Sequence, residues 1–455
     1  MKLNPNIFRQ YDIRGLVNKD LTGEFSELLG KAFGTYLINS GGKTAVVGFD
    51  NRPSSESFSK HLIKGIVSTG VEVTDIGLVP TPAYYFSIIH LNKQGGIMIT
   101  GSHNPPEFNG FKISKGNHAI FGEEIQEIRK LMEKGEFIKG KGFSKKQEIL
   151  KAYSQTILKK ISLKKKLKVV LDCGNGVGSV IAPQIFKKLG TDLTELFCVS
   201  DGTFPNHHPD PTLPETLKDL ISKVKELNAD IGIALDGDAD RIGVVDDKGS
   251  ILWGDQLLIL FSRELLEKKP GSKILVEVKC SQALIDDVKN HGGIPVLSPT
   301  GHSIIEAKML EEHALIAGEM SGHMFFRDEY FGFDDAIYAG ARLLRILSNS
   351  DKKLSKLLAD APKYFSSPEI RVECSDEEKF EVVKKVGDFF RKKFDVIDVD
   401  GARVLFKNGW GLIRASNTQP VLVLRFEAKT MEELDEIKSQ FRQKLNEFSA
   451  AKIGF

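Results

Sequence analysis

Three times along the chain an apolar run ends at a polar or glycine-bearing bend and gives way to residues with helical spacing: Val46-Val47-Gly48-Phe49-Asp50, Val169-Val170-Leu171-Asp172-Cys173-Gly174 and Ile274-Leu275-Val276-Glu277-Val278-Lys279. An apolar strand, a bend and a helical pattern in that order can open an α/β unit. The recurrence predicts three related α/β units of roughly 100–150 residues, a normal domain size. Residue identity between the three is faint, so the repeat is one of topology. Glycine and lysine enrichment around 134–145 marks the first boundary. After Asp360, Ala361-Pro362 breaks the pattern, and a charged helix with paired strands predicts a smaller α+β terminal domain. The expected domains are residues 1–148, 149–250, 251–362 and 363–455.

The strand-like run Gly96-Ile97-Met98-Ile99 leads into Thr100-Gly101-Ser102-His103-Asn104-Pro105-Pro106, and Asn109-Gly110-Phe111-Lys112-Ile113 returns the chain toward the core. One small hydroxyl between a glycine and a rigid double proline can be held out as a nucleophile. A serine at its ordinary pKa is a weak one, so other groups must activate it. The G-x-S-x-G elbow of acyl-transferring hydrolases is absent, because Thr100 and Asn104 stand where its glycines belong, and the same test fails at Ser303 and Ser321. Taken alone, the loop is equally compatible with a surface turn.

A second loop, Leu235-Asp236-Gly237-Asp238-Ala239-Asp240-Arg241, follows the apolar strand Ile231-Gly232-Ile233-Ala234. Carboxylates at alternate positions of an extended segment face one side, and three there resist ionisation unless a cation lies between them. An EF-hand would require Gly and Glu at its sixth and twelfth positions, where this chain has Arg241 and Asp247. Three oxygen ligands leave room for a phosphate oxygen and water, which suits Mg2+ in phosphoryl transfer. A polar turn after a strand is the plainer alternative.

Two further polar clusters stand at strand ends. Gly318-Glu319-Met320-Ser321-Gly322-His323 follows Ala314-Leu315-Ile316-Ala317, and Arg414-Ala415-Ser416-Asn417-Thr418-Gln419-Pro420 precedes Val421-Leu422-Val423-Leu424. A carboxylate beside a hydroxyl suits the neighbouring hydroxyls of a sugar, whereas an arginine with Ser, Asn and Thr offers several donors to a phosphate.

Together the four loops, TGSHNPP with NGFK, DGDADR, GEMSGH, and RASNTQP followed by LRFEA, resemble the α-D-phosphohexomutase superfamily in content and order, over Tyr11 to Arg425. Within it, the phosphomannomutase/phosphoglucomutase branch is the nearest match, and Met320 favours that branch over hexosamine-phosphate relatives. The resemblance implies three topologically similar mixed α/β domains and a smaller C-terminal α+β domain around a central cleft. It implies that Ser102 carries a phosphoryl group and joins Asp236, Asp238 and Asp240 in binding Mg2+. Glu319 and Ser321 are expected to contact sugar hydroxyls, and Arg414, Ser416, Asn417 and Thr418 to anchor the non-reacting phosphate, with Arg425 nearby. Tyr11, Lys279 and His302 match further substrate-binding positions, and Arg14, His103, Lys112, Arg241 and His323 match catalytic ones.

The implied reaction interconverts hexose 1-phosphate and hexose 6-phosphate, of mannose, glucose or both. It runs through phosphoserine and a hexose 1,6-bisphosphate, glucose 1,6-bisphosphate serving as activator. Phosphoglucosamine mutase, a metal-dependent sugar phosphatase and a non-catalytic sugar-phosphate binder are the alternatives. A binder alone has no use for a phosphorylatable nucleophile.

At 455 residues and 41% hydrophobic content the chain can fill several cores. A formal net charge of +2 gives no reason to expect a nucleic-acid or membrane partner, and the lysine-rich stretch 159–168 reads as a solvated helix end. The N-terminal Met1-Lys2-Leu3-Asn4-Pro5-Asn6 lacks an apolar signal core, so the cytoplasm is the expected location, with the chain a monomer or dimer. Cys173, Cys198, Cys280 and Cys374 have no C-x-x-C spacing and are expected to be reduced, buried thiols. Two near-motifs fail on one residue each. Ser179 takes the last glycine position of a dinucleotide fingerprint beginning at Gly174, and Leu37 the first glycine position of a P-loop ending at Lys43-Thr44.

Overall fold

A computed structural model describes residues 3–417 and 419–448. By their contacts these fall into two compact units, Met1–Leu260 with Ser321–Ala359, and Phe261–Met320 with Asp360–Phe455. No described helix is long and apolar enough to cross a membrane.

The first unit holds two mixed sheets with one repeated plan. In the first sheet, Thr44–Phe49 pairs in parallel with Glu72–Leu78 on one side and Gly95–Ile99 on the other, and Phe108–Lys115 adds antiparallel beyond Gly95–Ile99. In the second, Lys168–Asp172 pairs in parallel with Asp192–Leu196 and Ile231–Leu235, and Ile242–Asp246 adds antiparallel beyond Ile231–Leu235. The spatial order is the same in both: fourth, third, first, second. Gly95–Ile99 and Ile231–Leu235 are buried at every residue, which is why each reads as an unbroken apolar run rather than an alternating one.

In the second unit Lys273–Glu277 lies parallel to Ile294–Ser298 and Ile316–Gly318, repeating the first three strands of that plan. A separate antiparallel sheet runs Phe365–Ser366, Val421–Ala428, Gly409–Ala415, Ala402–Phe406, Asp395–Ile397, with Ile370–Glu373 also paired to Val421–Ala428. Its core of Val386, Phe390, Leu424, Phe426 and Phe441 lies between the sheet and the helices Lys379–Arg391 and Met431–Leu445. The expected three related α/β units and α+β terminal piece are all present.

The topology has one consequence for function. In each repeat the third strand ends at a polar loop: Gly95–Ile99 at the Ser102 loop, Ile231–Leu235 at the acidic loop and Ile316–Gly318 at Glu319. These are the carboxyl ends of parallel strands, where α/β sheets offer unpaired backbone and helix N-termini to ligands. Cys173, Cys280 and Cys374 are buried free thiols as expected, whereas Cys198 is partly exposed, its sulfur 3.2 Å from that of Cys173.

Candidate active site

Within the first unit the Ser102 loop and the acidic loop meet. A β-carbon on Gly237 would fall 2.3 Å from the carbonyl oxygen of Ser102, so only glycine allows the acidic loop to approach this closely. Ser102 is buried, adopts a left-handed φ of 49°, and its N–H donates to Thr100 Oγ1 at 2.8 Å. This turn aims its hydroxyl at Asp236, to whose Oδ2 it donates at 2.9 Å, while His103 Nδ1 lies 3.1 Å from Ser102 Oγ. Burial holds the His103 pKa well below the usual imidazole range, with Arg241 and Arg14 adding to the effect. His103 is therefore neutral at pH 7. Arg14 donates from Nε to Asp12 at 2.7 Å and from Nη1 to the side chain of Asn104 at 3.1 Å, reaching the nucleophile loop from the strand Ile13–Leu16. Tyr11, half-buried, precedes that strand.

Asp236, Asp238 and Asp240 are all fully buried, each offering an oxygen within 4.8 Å of the others. Asp236 Oδ1 accepts the N–H groups of Asp240 at 3.0 Å and Arg241 at 3.2 Å, which curls the loop and turns the three side chains inward. Asp238 Oδ2 accepts from Thr81 Oγ1 at 2.6 Å, at the N-terminus of the helix Thr81–His90, whose dipole favours the negative charge. Lys112 sits between Asp238, at 3.3 Å, and Asp240, which it contacts more closely. Burial acts to lower the Lys112 pKa, but Asp238 and Asp240 outweigh it and hold it above the usual lysine range.

Burial, together with Asp240 and Asp238, pushes the Asp236 carboxyl well up. Asp240 goes the other way: burial would raise it, but Lys112, His323 and Arg241 hold it well below the usual range. One lysine thus leaves the cluster short of positive charge. Asp238 Oδ1 and Asp240 Oδ1, both buried, accept no hydrogen bond. Oxygens of this kind are costly unless a ligand takes them up, and three hard carboxylates with a serine oxygen form the donor set Mg2+ prefers.

The segment beyond Gly322 runs antiparallel to the end of the acidic loop, with a bridge between Arg241 and His323. Arg241 Nε donates to His323 Nε2 at 2.9 Å, and His323 Nδ1 lies 2.7 Å from Asp334 Oδ2. Because the arginine N–H takes up the Nε2 lone pair, the imidazole proton is on Nδ1, the nitrogen nearer Asp334. Ser321, at the start of this segment, is half-buried.

The second unit gathers the other expected residues around buried and half-buried carboxylates. Glu319 Oε1 accepts the Gly301 N–H at 2.7 Å, immediately before the helix His302–Glu311, whose first residue is the buried His302. Asp400 Oδ2 accepts both Arg414 Nε at 2.9 Å and the Thr300 N–H at 3.0 Å. Lys279 lies 3.2 Å from Glu369 and 3.7 Å from Glu277. Burial opposes its charge, but Glu277 and Glu369 raise its pKa overall. Arg425 Nη1 donates to the Lys279 carbonyl and contacts the Met320 sulfur, both at 2.5 Å. Ser416 Oγ accepts the Gln419 N–H at 3.2 Å, and Asn417 follows it in a bend. Thr418 lies outside the described residues.

Several participants were not foreseen. Thr81, Asp334, Glu277 and Asp400 are single polar residues at element ends with no motif around them. Arg52 closes the first apolar strand as Asp50-Asn51-Arg52, a position legible only as a bend.

Four family models match in sequence order: phosphoglucomutase/phosphomannomutase alpha/beta/alpha domain I over residues 5–139, domain II over 151–249, domain III over 253–365, and the C-terminal domain over 369–444. A phosphomannomutase/phosphoglucomutase of Pseudomonas aeruginosa is 47% identical over 444 residues, covering 97% of this chain and 96% of that protein. A phosphoglucomutase of Neisseria meningitidis serogroup A is 43% identical over 442 residues, covering 96% of each. The crystal structure of a phosphoglucomutase/phosphomannomutase family protein from Burkholderia thailandensis superimposes with a TM-score of 0.94 at 41% identity, covering 100% of both chains.

Proposed function

This chain belongs to the phosphoglucomutase/phosphomannomutase family, and we propose that it is a phosphohexomutase interconverting the 1- and 6-phosphates of glucose, mannose or both. The observation that carries the reading is the Ser102 hydroxyl 2.9 Å from Asp236, inside a buried cluster of three aspartates. Phospho-Ser102 gives its phosphoryl group to the free 1- or 6-hydroxyl of the substrate: the Ser102 O–P bond breaks as the new sugar O–P bond forms. The resulting hexose 1,6-bisphosphate turns around and returns its other phosphoryl group to Ser102, leaving the isomeric monophosphate.

Asp236, Asp238 and Asp240 would hold Mg2+, which when bound supplies positive charge beside the transferring phosphoryl group. Lys112 contributes a fixed positive charge at the same carboxylates. The proton lost by the attacking hydroxyl needs an acceptor, and Lys112, His103 and His323 are the candidates, of which His103 lies beside Ser102. Arg241 and His323 hold each other at the edge of the cluster, and Arg14 steadies Asn104 in the nucleophile loop.

Glu319 and Ser321 are assigned to sugar hydroxyls, and Arg414, Ser416, Asn417 and Thr418 to the non-reacting phosphate, with Tyr11, Lys279, His302 and Arg425 as further substrate contacts. A site that accepts the sugar in two orientations reads the hydroxyls that exchange places, the 3- and 4-hydroxyls, and leaves the 2-hydroxyl free. Mannose and glucose phosphates differ there, which supports dual specificity. The proposed location is the cytoplasm. Intact-mass measurement with and without glucose 1,6-bisphosphate tests the mechanism, since Ser102 should gain one phosphoryl group. Comparative turnover of glucose 1-phosphate, mannose 1-phosphate and glucosamine 6-phosphate tests the specificity, and release of inorganic phosphate as main product would indicate a phosphatase instead.

A further inference from the structure

The nucleophile loop is wound around one buried guanidinium. The Arg52 side chain has no solvent exposure. Its Nη2 donates to the carbonyls of Ser102 at 2.7 Å and Asn104 at 2.5 Å, and its Nη1 to those of Pro105 at 2.6 Å and Phe108 at 2.9 Å. Nε donates to Asp50 Oδ2 at 3.2 Å, and the same oxygen accepts the Gly101 N–H at 3.2 Å. Asp50 Oδ1 is held in turn by Ser55 Oγ at 2.5 Å and by the Arg52 N–H at 3.1 Å. A β-carbon on Gly101 would fall 2.5 Å from the guanidinium carbon, and the Phe204 ring covers the group at 5.1 Å.

A guanidinium has five N–H donors, and all five are engaged by these protein acceptors. None remains for a substrate phosphate, so Arg52 is not an anion-binding residue. Nor is core filling a reason for it, since Asp50 and Asp238 only partly oppose its desolvation and an apolar side chain of similar volume would serve packing as well. What a planar, rigid fork does that an apolar group cannot is fix several carbonyl oxygens at set positions. Four residues of the loop, Ser102, Asn104, Pro105 and Phe108, are tied to one point.

We propose that Arg52 is the positioning residue of the phosphoryl-carrying serine: it holds the Ser102 carbonyl so that the hydroxyl of the same residue stays aimed at Asp236 and its neighbours. The inference rests on Ser102 being the phosphoryl carrier. Its role is indirect, and its loss should lower the rate of transfer while leaving the groups that bind the rest of the substrate untouched.

The test uses the full-length enzyme with Arg52→Met, which keeps volume without donors, and Arg52→Lys, which keeps the charge and up to three donors. For each, kcat and KM for glucose 1-phosphate are measured with glucose 1,6-bisphosphate present, together with the melting temperature and the 31P resonance of phospho-Ser102. We expect kcat to fall about 100-fold or more in Arg52→Met and by less in Arg52→Lys, KM to stay within about threefold, and the 31P resonance to shift or broaden in both. A folded Arg52→Lys or Arg52→Met with wild-type kcat and an unchanged 31P resonance overturns the proposal, as does a change confined to KM. If Arg52→Met does not fold, Arg52→Lys decides. A wild-type enzyme that never takes up phosphate at Ser102 instead removes the assignment of the nucleophile, a separate failure read from intact mass.

Discussion

Ser102 Oγ donates a 2.9 Å hydrogen bond to Asp236 Oδ2 across 134 residues of sequence. The contact joins the third strand of one α/β repeat to the third strand of the next, so the serine and the acidic cluster are brought together by sheet topology. Replacing Ser102 by Ala should abolish phosphoryl uptake and lower turnover by at least on the order of 10^3, about 4 kcal/mol of barrier, with only a small change in melting temperature. Intact mass and a coupled mutase assay check both halves.

The three buried aspartates should make the metal-free protein measurably less stable than the loaded one. Mg2+ at about 100 times its dissociation constant should add about 2.7 kcal/mol, seen as a higher melting temperature that EDTA reverses. Asp238→Asn should weaken this response, because it removes one of the carboxylates that would hold the ion. A variant whose response to Mg2+ equals that of wild type would count against the carboxylates as the ion's ligands.

Lys112→Met removes the ammonium between Asp238 and Asp240 and leaves two buried carboxylates less compensated. A loss of about 3–5 kcal/mol is expected in EDTA, part of it recovered on adding Mg2+. Chemical denaturation with and without the ion provides the comparison.

Stability should also depend on pH through Asp335, which the mechanism does not use. Burial pushes its carboxyl up to about 7, although the Tyr338 N–H and the Tyr153 and Tyr330 hydroxyls favour the ionised form. With a folded pKa above the unfolded value of about 4, the folded state binds the extra proton in between. This contribution is fully present below about pH 4 and is lost as pH rises through about 7. Against Asp335→Asn, wild-type stability should therefore fall by up to about 1.4 kcal/mol per pH unit between about pH 5 and 7 and then level off. Parallel slopes for the two proteins would contradict this.

In the second unit, Asp400→Asn should loosen Arg414, whose Nε it holds at 2.9 Å. If Arg414 anchors the non-reacting phosphate in every step, the loss is one of uniform binding: KM should rise about tenfold with kcat little changed. Steady-state kinetics with glucose 1-phosphate separate the two.

The loops legible in the sequence were those whose chemistry is written in consecutive residues. Asp236, Asp238 and Asp240 announce themselves by spacing, and Ser102 by its glycine and prolines. The α/β repeat was legible because fully buried parallel strands leave unbroken apolar runs. Arg52 and Asp400 were not, since their partners are backbone groups and distant side chains, and a carbonyl acceptor leaves no mark on residue identity. Lys112 was visible only as part of NGFK; its place between two aspartates depends on the register of Phe108–Lys115 beside Gly95–Ile99, which no local pattern encodes.

The left-handed backbone of Ser102, at φ 49°, sets chemistry and folding stability at odds. Such a conformation costs a residue with a β-carbon roughly 1 kcal/mol or more, a penalty glycine escapes. Alanine and glycine at position 102 would be equally inert, yet alanine would keep the strain and glycine would shed it, subject to glycine's larger loss of chain entropy. If Ser102 is the phosphoryl carrier, directed evolution of this enzyme for heat resistance alone would thus tend to discard the residue that does its work, and any such programme needs turnover in the screen.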